Sequence, residues 1–151
     1  LESDCISIYQ YLYCIISASK SGHIDIVKYL IEKGANKGLN EAFIEACNNG
    51  HLNIVKLLLE KEVDISSYHN LSLVCACSNG YIDIVNFLIS RGLKVTNLNT
   101  LGLRYGVFRN RNINEALFCA DINGYEDIVE ILIRNGANRE IDKNLANVIQ
   151  K

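Results

Sequence analysis

Apolar side chains recur at fixed distances after four glycines of the chain, Gly22, Gly50, Gly80 and Gly124. In each copy they stand four, five, seven, eight and nine places after the glycine, which puts them on one side of a helix with 3.6 residues per turn. An aspartate or asparagine stands three places after each glycine, where a short acceptor can satisfy free amides and favour the helix dipole. The pattern therefore predicts four amphipathic helices that begin near Asp25, Asn53, Asp83 and Asp127.

Glycines mark the ends of three of these helices, at Gly34, Gly92 and Gly136. Glycine adopts the left-handed conformation past a helix end at little cost. The second copy has Glu62 in this place. We therefore expect an extended or slightly strained end there, worth ~1 kcal/mol.

A second helical segment precedes each glycine, at residues 40–48, 70–78, 114–122 and, more loosely, 12–20. Three of these segments open with asparagine, so Asn40, Asn70 and Asn114 are predicted N-caps. An alanine stands four places before every glycine, and a larger residue there would overpack two closely packed helices by roughly 1 to 3 kcal/mol. The predicted helices therefore come in pairs, with the alanines Ala18, Ala46, Ala76 and Ala120 at their contacts.

Helix pairs on a period near 30 residues, two of which end in Gly-Ala-Asn at residues 34–36 and 136–138, resemble ankyrin repeats. The resemblance covers residues 12–138 and rests on a motif, Gly-His-x-Asp-Ile-Val-x-x-Leu-Ile, that recurs in register. It implies an all-α, ankyrin-type solenoid of stacked helix pairs that works by holding another protein.

The chain departs from the family at the start of each first helix. It contains no proline, so the family's Thr-Pro-Leu-His sequence keeps only its leucine-like position, filled by Ile15, Phe43, Leu73 and Leu117. Apolar residues fill the histidine position, namely Ile16, Ile44, Val74 and Phe118. Two units are also shorter than the family's ~33 residues, so we expect shortened or absent β-hairpin fingers.

The repeats predict one domain over residues 1–151. Its units fall at 8–36, 37–64, 65–94 and 95–138, and residues 139–151 form a half-repeat or a cap. Each unit buries its apolar side only against its neighbours, so the terminal faces must be polar or covered. We expect the apolar segment Leu145–Ile149 to be the cover.

The balance of charge gives the chain no overall attraction to polyanions. The formal net charge is −2, whereas nucleic acid or an anionic membrane surface normally requires a basic face. Charged residues interrupt every apolar run before it reaches the length of a membrane span, and residues 1–19 lack the basic start of a secretory signal. The chain also lacks methionine, so we expect a fragment or a processed form.

Six cysteines raise the possibilities of disulfides and of a metal site, but their positions favour neither. Cys75 and Cys77 point about 200° apart around a predicted helix, which is the wrong geometry for a shared metal ligand. We expect small buried thiols, which fits an intracellular, reducing compartment. The full set is Cys5, Cys14, Cys47, Cys75, Cys77 and Cys119.

The repeated histidine of the motif is expected to serve the turn between paired helices. His23 and His51 occupy one place in successive units, and tyrosines occupy it in the others, which argues against an obligatory imidazole. No serine or cysteine has a motif-level partner for catalysis, and no glycine-rich loop follows a strand. We therefore predict no catalytic, cofactor or metal site and a chain that is not an enzyme.

The longest spacing between motifs contains an insertion, residues 93–112, about 11 residues beyond the usual period of ~33. Arginine and aromatic side chains are enriched at protein-binding hot spots, and function is often carried by loops on rigid scaffolds. The alternative is a loop whose apolar side chains pack on adjacent helices. Too few arginines are present for nucleic acid to be favoured. The candidates for partner binding here are Arg104, Tyr105, Phe108, Arg109 and Arg111.

The family resemblance implies a second candidate surface, because ankyrin repeats contact partners through their fingers and the first helix of each pair. The positions that correspond vary from unit to unit, as partner-reading positions do, although unconstrained exposed positions vary too. They are Ser17, Glu45, Cys75 and Cys119 on the first helices, with Tyr68 and His69 in a finger.

Short units, the apolar replacement of the histidine and a bias toward Asn, Ile and Lys are similar to ankyrin repeat proteins of giant DNA viruses of amoebae. Ankyrin repeat proteins of intracellular bacteria and of other AT-rich genomes share these features. The expected function is a protein-binding scaffold or adaptor that engages a host factor, in the host cytoplasm if the source is viral. The alternative is a structural component of a larger particle that assembles with itself; otherwise we expect a monomer.

Overall fold

The computed structural model describes residues 8–61, 63, 71–93 and 115–137. It divides into two compact units, Leu1–Ile65 and Ser66–Lys151. The described residues contain α-helices and no strands. The first unit holds α1 (Ile8–Lys20), α2 (Ile24–Glu32), α3 (Leu39–Asn48) and α4 (Leu52–Leu59), and the second holds α5 (Leu71–Ser78), α6 (Ile82–Ser90), α7 (Glu115–Ile122) and α8 (Glu126–Arg134).

Each unit contains two helix pairs that stack on one another. In the first unit α1 packs on α2 and α3 on α4, and contacts between α1 and α3 and between α2 and α4 join the pairs. In the second unit α5 packs on α6 and α7 on α8, and contacts between α5 and α7 and between α6 and α8 join these pairs. The all-α repeat solenoid predicted from the sequence is confirmed. No described helix combines the length and the apolar character that a membrane crossing requires.

A three-residue turn joins the helices of each pair. In the first pair Gly22 has a φ of 80°, and the amide of His23 donates to the carbonyl of Ala18 at 2.9 Å. The same bond joins His51 to Ala46 in the second pair, at 2.9 Å. It is the helix-ending arrangement that a left-handed glycine permits. The repeated alanine thus accepts this bond as well as lying buried.

Three of the four second helices are followed by a glycine with a positive φ, as predicted. Gly34 has a φ of 90°, and the amides of Gly34 and Ala35 donate to Ile31 and Leu30 at 2.9 and 3.0 Å. In the second copy α4 ends at Leu59 and is not extended. Glu62 lies outside the described residues, so the alternative of a slightly strained end stays a prediction.

The predicted N-caps are wrong where the structure describes them. Helix α3 begins after Gly38, so Asn40 lies inside its first turn. Gly38 has a φ of 80°, a conformation that favours glycine, and an added Cβ would displace the end of the Leu12 side chain of α1. Asn70 and Asn114 immediately precede α5 and α7 but lie outside the described residues.

The second helices begin one residue earlier than predicted. Their cap residues are His23, His51, Tyr81 and Tyr125, and none of these side chains makes a cap hydrogen bond. Three of the four motif residues are aspartates in the first turn. Their charge favours the helix dipole without capping the amides.

The core of each unit follows the repeated positions. Ile15 and Phe43 are buried between the pairs of the first unit, and Leu73 and Leu117 take the same places in the second. All four repeated alanines are buried, at 5% exposure or less. Residues 33–38 between α2 and α3 contain no strand, so the expected loss of a β-hairpin finger is confirmed at this junction.

Candidate functional site

One set of surface positions recurs on the first helix of every pair, five places before the motif glycine. Ser17 is exposed and the other three are half-buried, whereas the alanine that follows each of them is buried. We call these positions the first-helix row. Its members are Ser17 and Glu45 in the first unit and Cys75 and Cys119 in the second.

Polar groups surround the part of the row in the first unit. The carboxylate of Glu45 lies 3.9 Å from the Lys20 ammonium of the neighbouring α1. The Asn49 amide donates to the backbone carbonyl of Glu45 at 2.8 Å and to its carboxylate at 3.3 Å. An exposed ion pair of this kind adds little stability. Both charges therefore remain available to a partner.

Asparagines just before the glycine hold the backbone of the row, a role that the sequence reasoning did not assign. The side chains of Asn79 and Asn123 donate to the carbonyls of Cys75 and Cys119 at 2.9 and 2.7 Å, as Asn49 does to Glu45. The acceptors belong to the last turn of each first helix. The carbonyls of Glu45 and Cys75 also accept the backbone amides of Asn49 and Asn79, at 3.1 and 3.2 Å. The recurrence of asparagine at one position was the available signal.

The row in the second unit consists of thiols. Burial raises the pKa of the Cys77 thiol, and the neighbouring Cys119 and Cys75 raise it further. Cys77 is therefore a neutral packing group, since only a thiolate is a good nucleophile.

The prediction of buried thiols is confirmed for two cysteines and wrong for three others. Cys47 and Cys77 are buried, whereas Cys75 and Cys119 are half-buried and Cys14 is exposed. The described cysteines form no disulfide, and the part of the chain that the structure describes holds no group of three or more potential metal ligands. Cys5 lies outside that part.

The remaining candidates for partner binding lie outside the described residues. They are Arg104, Tyr105, Phe108, Arg109 and Arg111 of the insertion, together with Tyr68 and His69. Their role in binding stays a prediction.

The motif histidine does more than form the turn of its own pair. The Nε2 atom of His51 lies 2.9 Å from the carbonyl oxygen of Lys20, at the end of α1. Its ring also covers Gly22, where an added Cβ would lie 2.7 Å from the ring. In the second unit the Tyr125 ring covers Gly80 in the same way, at 2.6 Å. The residue after the glycine therefore joins its own pair to the preceding one within a unit.

Large apolar side chains are exposed on the first and last helix pairs. Tyr13, Ile26 and Tyr29 are 71%, 49% and 56% exposed on α1 and α2. Ile122 and Ile133 are 63% and 39% exposed on α7 and α8. The cover predicted at residues 145–149 lies outside the described residues, so the expectation of polar or covered terminal faces stays a prediction.

The family model for ankyrin repeats, in three copies, matches residues 14–99. The match spans more than half of the 151 residues. The chain belongs to the ankyrin repeat family. Ankyrin repeats generally mediate interactions between proteins, and the family is typically non-enzymatic. The pair α7–α8 of this ankyrin repeat protein follows the matched range and carries the same motif. No curated protein matches the sequence.

Proposed function

We propose that this ankyrin repeat protein is a non-enzymatic adaptor that holds another protein on its first-helix row. The observation that carries the proposal is the contrast between neighbouring positions. The row changes from serine to glutamate to cysteine and stays at the surface, while the alanine beside it is unchanged and buried in all four pairs.

The chemistry of the row indicates what each unit would contact. The Lys20–Glu45 pair in the first unit offers a cation and an anion side by side, which suits polar or charged side chains of a partner. Cys75 and Cys119 offer small, weakly polar groups, which suit an apolar contact. The arginine and aromatic residues of the insertion would add contacts of the hot-spot type.

The proposed setting is the reducing interior of a host cell, where the partner is a host factor. The resemblance to viral ankyrin repeat proteins supports this setting. Thiols in the described part that form no disulfide are compatible with it.

The test is an affinity capture from host-cell lysate with quantitative mass spectrometry, followed by binding measurements on the purified partner. The row variant carries Ser17→Arg and Glu45→Arg. The insertion variant carries Arg104→Glu, Tyr105→Ala and Arg109→Glu. A matched control carries Lys28→Glu and Asn86→Arg, which change exposed positions on the second helices.

The proposal expects a partner that binds the native chain and the control but binds the row variant at least about tenfold more weakly, the loss of one or two interface hot spots. Loss of partner binding in the insertion variant alone would show that the partner contacts residues 93–112 and not the row. Retention of the partner by both variants would reject Ser17, Glu45 and the insertion as contact sites.

A further inference from the structure

Exposed large apolar side chains lie on the pair α1–α2 and on the pair α7–α8. We define the front face as His23, Ile26 and Tyr29 with Tyr13, on α1 and α2. We define the rear face as Ile122, Gly124 and Ile133, on α7 and α8. We propose that a second copy of this chain docks head to tail, with its front face on the rear face of the first copy.

Equivalent positions within the units show that the front face is a surface for stacking. Ile54 of α4 occupies the place of Ile26 and is 1% exposed, in a helix that packs on α2. Ile128 of α8, which packs on α6, is 2% exposed. The position four places after the glycine therefore faces the preceding pair. In α2 the same isoleucine is 49% exposed.

The rear face lacks the ring that covers the equivalent glycines. His51 lies on Gly22, and Tyr125 lies on Gly80. Apart from its neighbours in the chain, no described residue lies within 4 Å of the place where a Cβ of Gly124 would be. Ile133 is 39% exposed, whereas Ile31 in its place on α2 is half-buried. The end of α7 thus offers an open version of a contact that both units make internally.

The front face carries the group that this contact requires. His23 is exposed and stands where His51 stands in the next pair. Docked in the place of His51, its ring would cover Gly124, and its Nε2 would reach the carbonyl of Ile122, which corresponds to the Lys20 carbonyl. Tyr29 is held beside Lys33, whose Nζ lies 5.6 Å from the ring centroid.

The proposed interface therefore continues an interface that the chain already contains. Both faces are apolar, and exposed apolar patches on soluble proteins mark sites of association. A contact between two different faces of one molecule is heterologous, so each docked copy leaves one front and one rear face open. Association should therefore continue beyond a dimer as the concentration rises.

The test uses two variants of the full chain that each block one face. Ile26→Asp with Tyr29→Asp blocks the front face, and Ile122→Asp with Ile133→Asp blocks the rear face. Sedimentation velocity over a concentration series gives the mass of the native chain, each variant and an equimolar mixture of the two. Lys28→Asp, at an exposed position of α2, is the matched control.

The expected result is concentration-dependent association of the native chain and of the control, and a monomer for each blocked variant alone. The mixture should form a one-to-one dimer and nothing larger, because it holds one intact front face and one intact rear face. His23→Ala should weaken the association of the native chain. If a double variant does not give the helical circular dichroism of the native chain, Tyr29→Asp and Ile122→Asp replace it.

Three outcomes would overturn the proposal. A native chain that stays monomeric at all concentrations would show that no second copy occupies these faces. Contact with a further repeat would then be the alternative. A rear-blocked variant that dimerises alone would indicate a front-to-front contact. A mixture that stays monomeric would reject the pairing of front with rear. The first-helix row is intact in both variants, so partner binding can be measured independently.

Discussion

The hydroxyl groups of Ser19 and Ser72 are buried and have no hydrogen-bond partner among the described residues. A buried polar group without a partner loses its hydration and gains nothing in return. The place of Ser72 on α5 is taken by Ala42 on α3 and by Ala116 on α7, and both alanines are buried. The repeat itself therefore shows that this position accepts a methyl group.

We expect Ser72→Ala to raise the free energy of unfolding by about 1 kcal/mol, because the unpaired hydroxyl is removed. Urea denaturation followed by circular dichroism measures the change. Ser78→Ala is the matched control in the same helix, since its hydroxyl donates to the Val74 carbonyl at 2.8 Å. Equal loss of stability in both variants would show that the Ser72 hydroxyl has a partner.

Glu115, the first residue of α7, carries a second residue-scale prediction. Burial raises the pKa of its carboxyl, so the folded chain holds the proton more tightly than the unfolded chain. Ionisation at neutral pH therefore lowers the free energy of unfolding, and the loss disappears as the pH falls below the pKa values of both states. We expect Glu115→Gln to raise the free energy of unfolding slightly at neutral pH and to leave it unchanged in acid.

Urea denaturation at a series of pH values measures this difference between Glu115→Gln and the native chain. Glu32→Gln, at an exposed position of α2, is the matched control for the substitution itself. A gain in stability that is the same at every pH would indicate a cause other than ionisation.

At the scale of the elements, one of the contacts between successive helix pairs joins the glycine of one pair to the ring of the next. Gly80 and Gly124 have the same φ of +77°, but only Gly80 lies under a ring, that of Tyr125. The two glycines therefore separate the cost of backbone strain from the cost of crowding between pairs.

We expect Gly124→Ala to lower the free energy of unfolding by about 1 kcal/mol, through backbone strain alone. Gly80→Ala should cost about 1 to 3 kcal/mol more, because the methyl group displaces the Tyr125 ring. Chemical denaturation of both variants and of Gly80→Ala with Tyr125→Ala gives the comparison. Failure of Tyr125→Ala to recover the extra loss would show that the ring is not what Gly80 accommodates.

At the scale of the whole molecule, each unit holds one fully buried thiol among its described residues. Cys47 in the first unit and Cys77 in the second are both 0% exposed, whereas Cys14 is exposed. A maleimide reaches a buried thiol only when the surrounding structure opens. Labelling of the two buried cysteines thus follows the opening of each unit separately.

We expect Cys14 to react at once and Cys47 and Cys77 to react slowly in the native chain. In a repeat protein each element depends on its neighbours, so Gly80→Ala should speed the labelling of Cys77 more than that of Cys47. Mass spectrometry of peptides after timed labelling measures the rates. Equal acceleration at both cysteines would mean that the two units open as one.

The helices could be predicted from the sequence because the same motif specifies each of them. The alanine in the last turn of each first helix and the glycine in the turn that follows lie where the pattern predicts them. The caps could not be predicted in the same way. Asn40 has the side chain of a good cap, but α3 begins after Gly38, which adopts the left-handed conformation with a φ of 80°.

The exposure of the apolar side chains on α1–α2 and α7–α8 could not be predicted from the sequence, for a different reason. A repeat gives every copy the same pattern, so Ile26 and Ile54 look alike in the sequence. Their burial differs because α2 lacks a covering pair at this position among the described residues, while α4 has one. The role of His51 in joining two pairs was missed because its acceptor, the Lys20 carbonyl, belongs to the backbone and leaves no mark in the sequence.

The glycine that receives a ring and the position that supplies a ring to the preceding pair are adjacent in the chain, as Gly22 and His23 are. Any stretch of gene that is copied with this motif therefore carries both sides of the contact. A duplicated unit can stack on its parent, and the parent's former neighbour can stack on the duplicate, without a compensating mutation. Such a protein can lengthen or shorten by whole repeats through unequal recombination and still fold at each step.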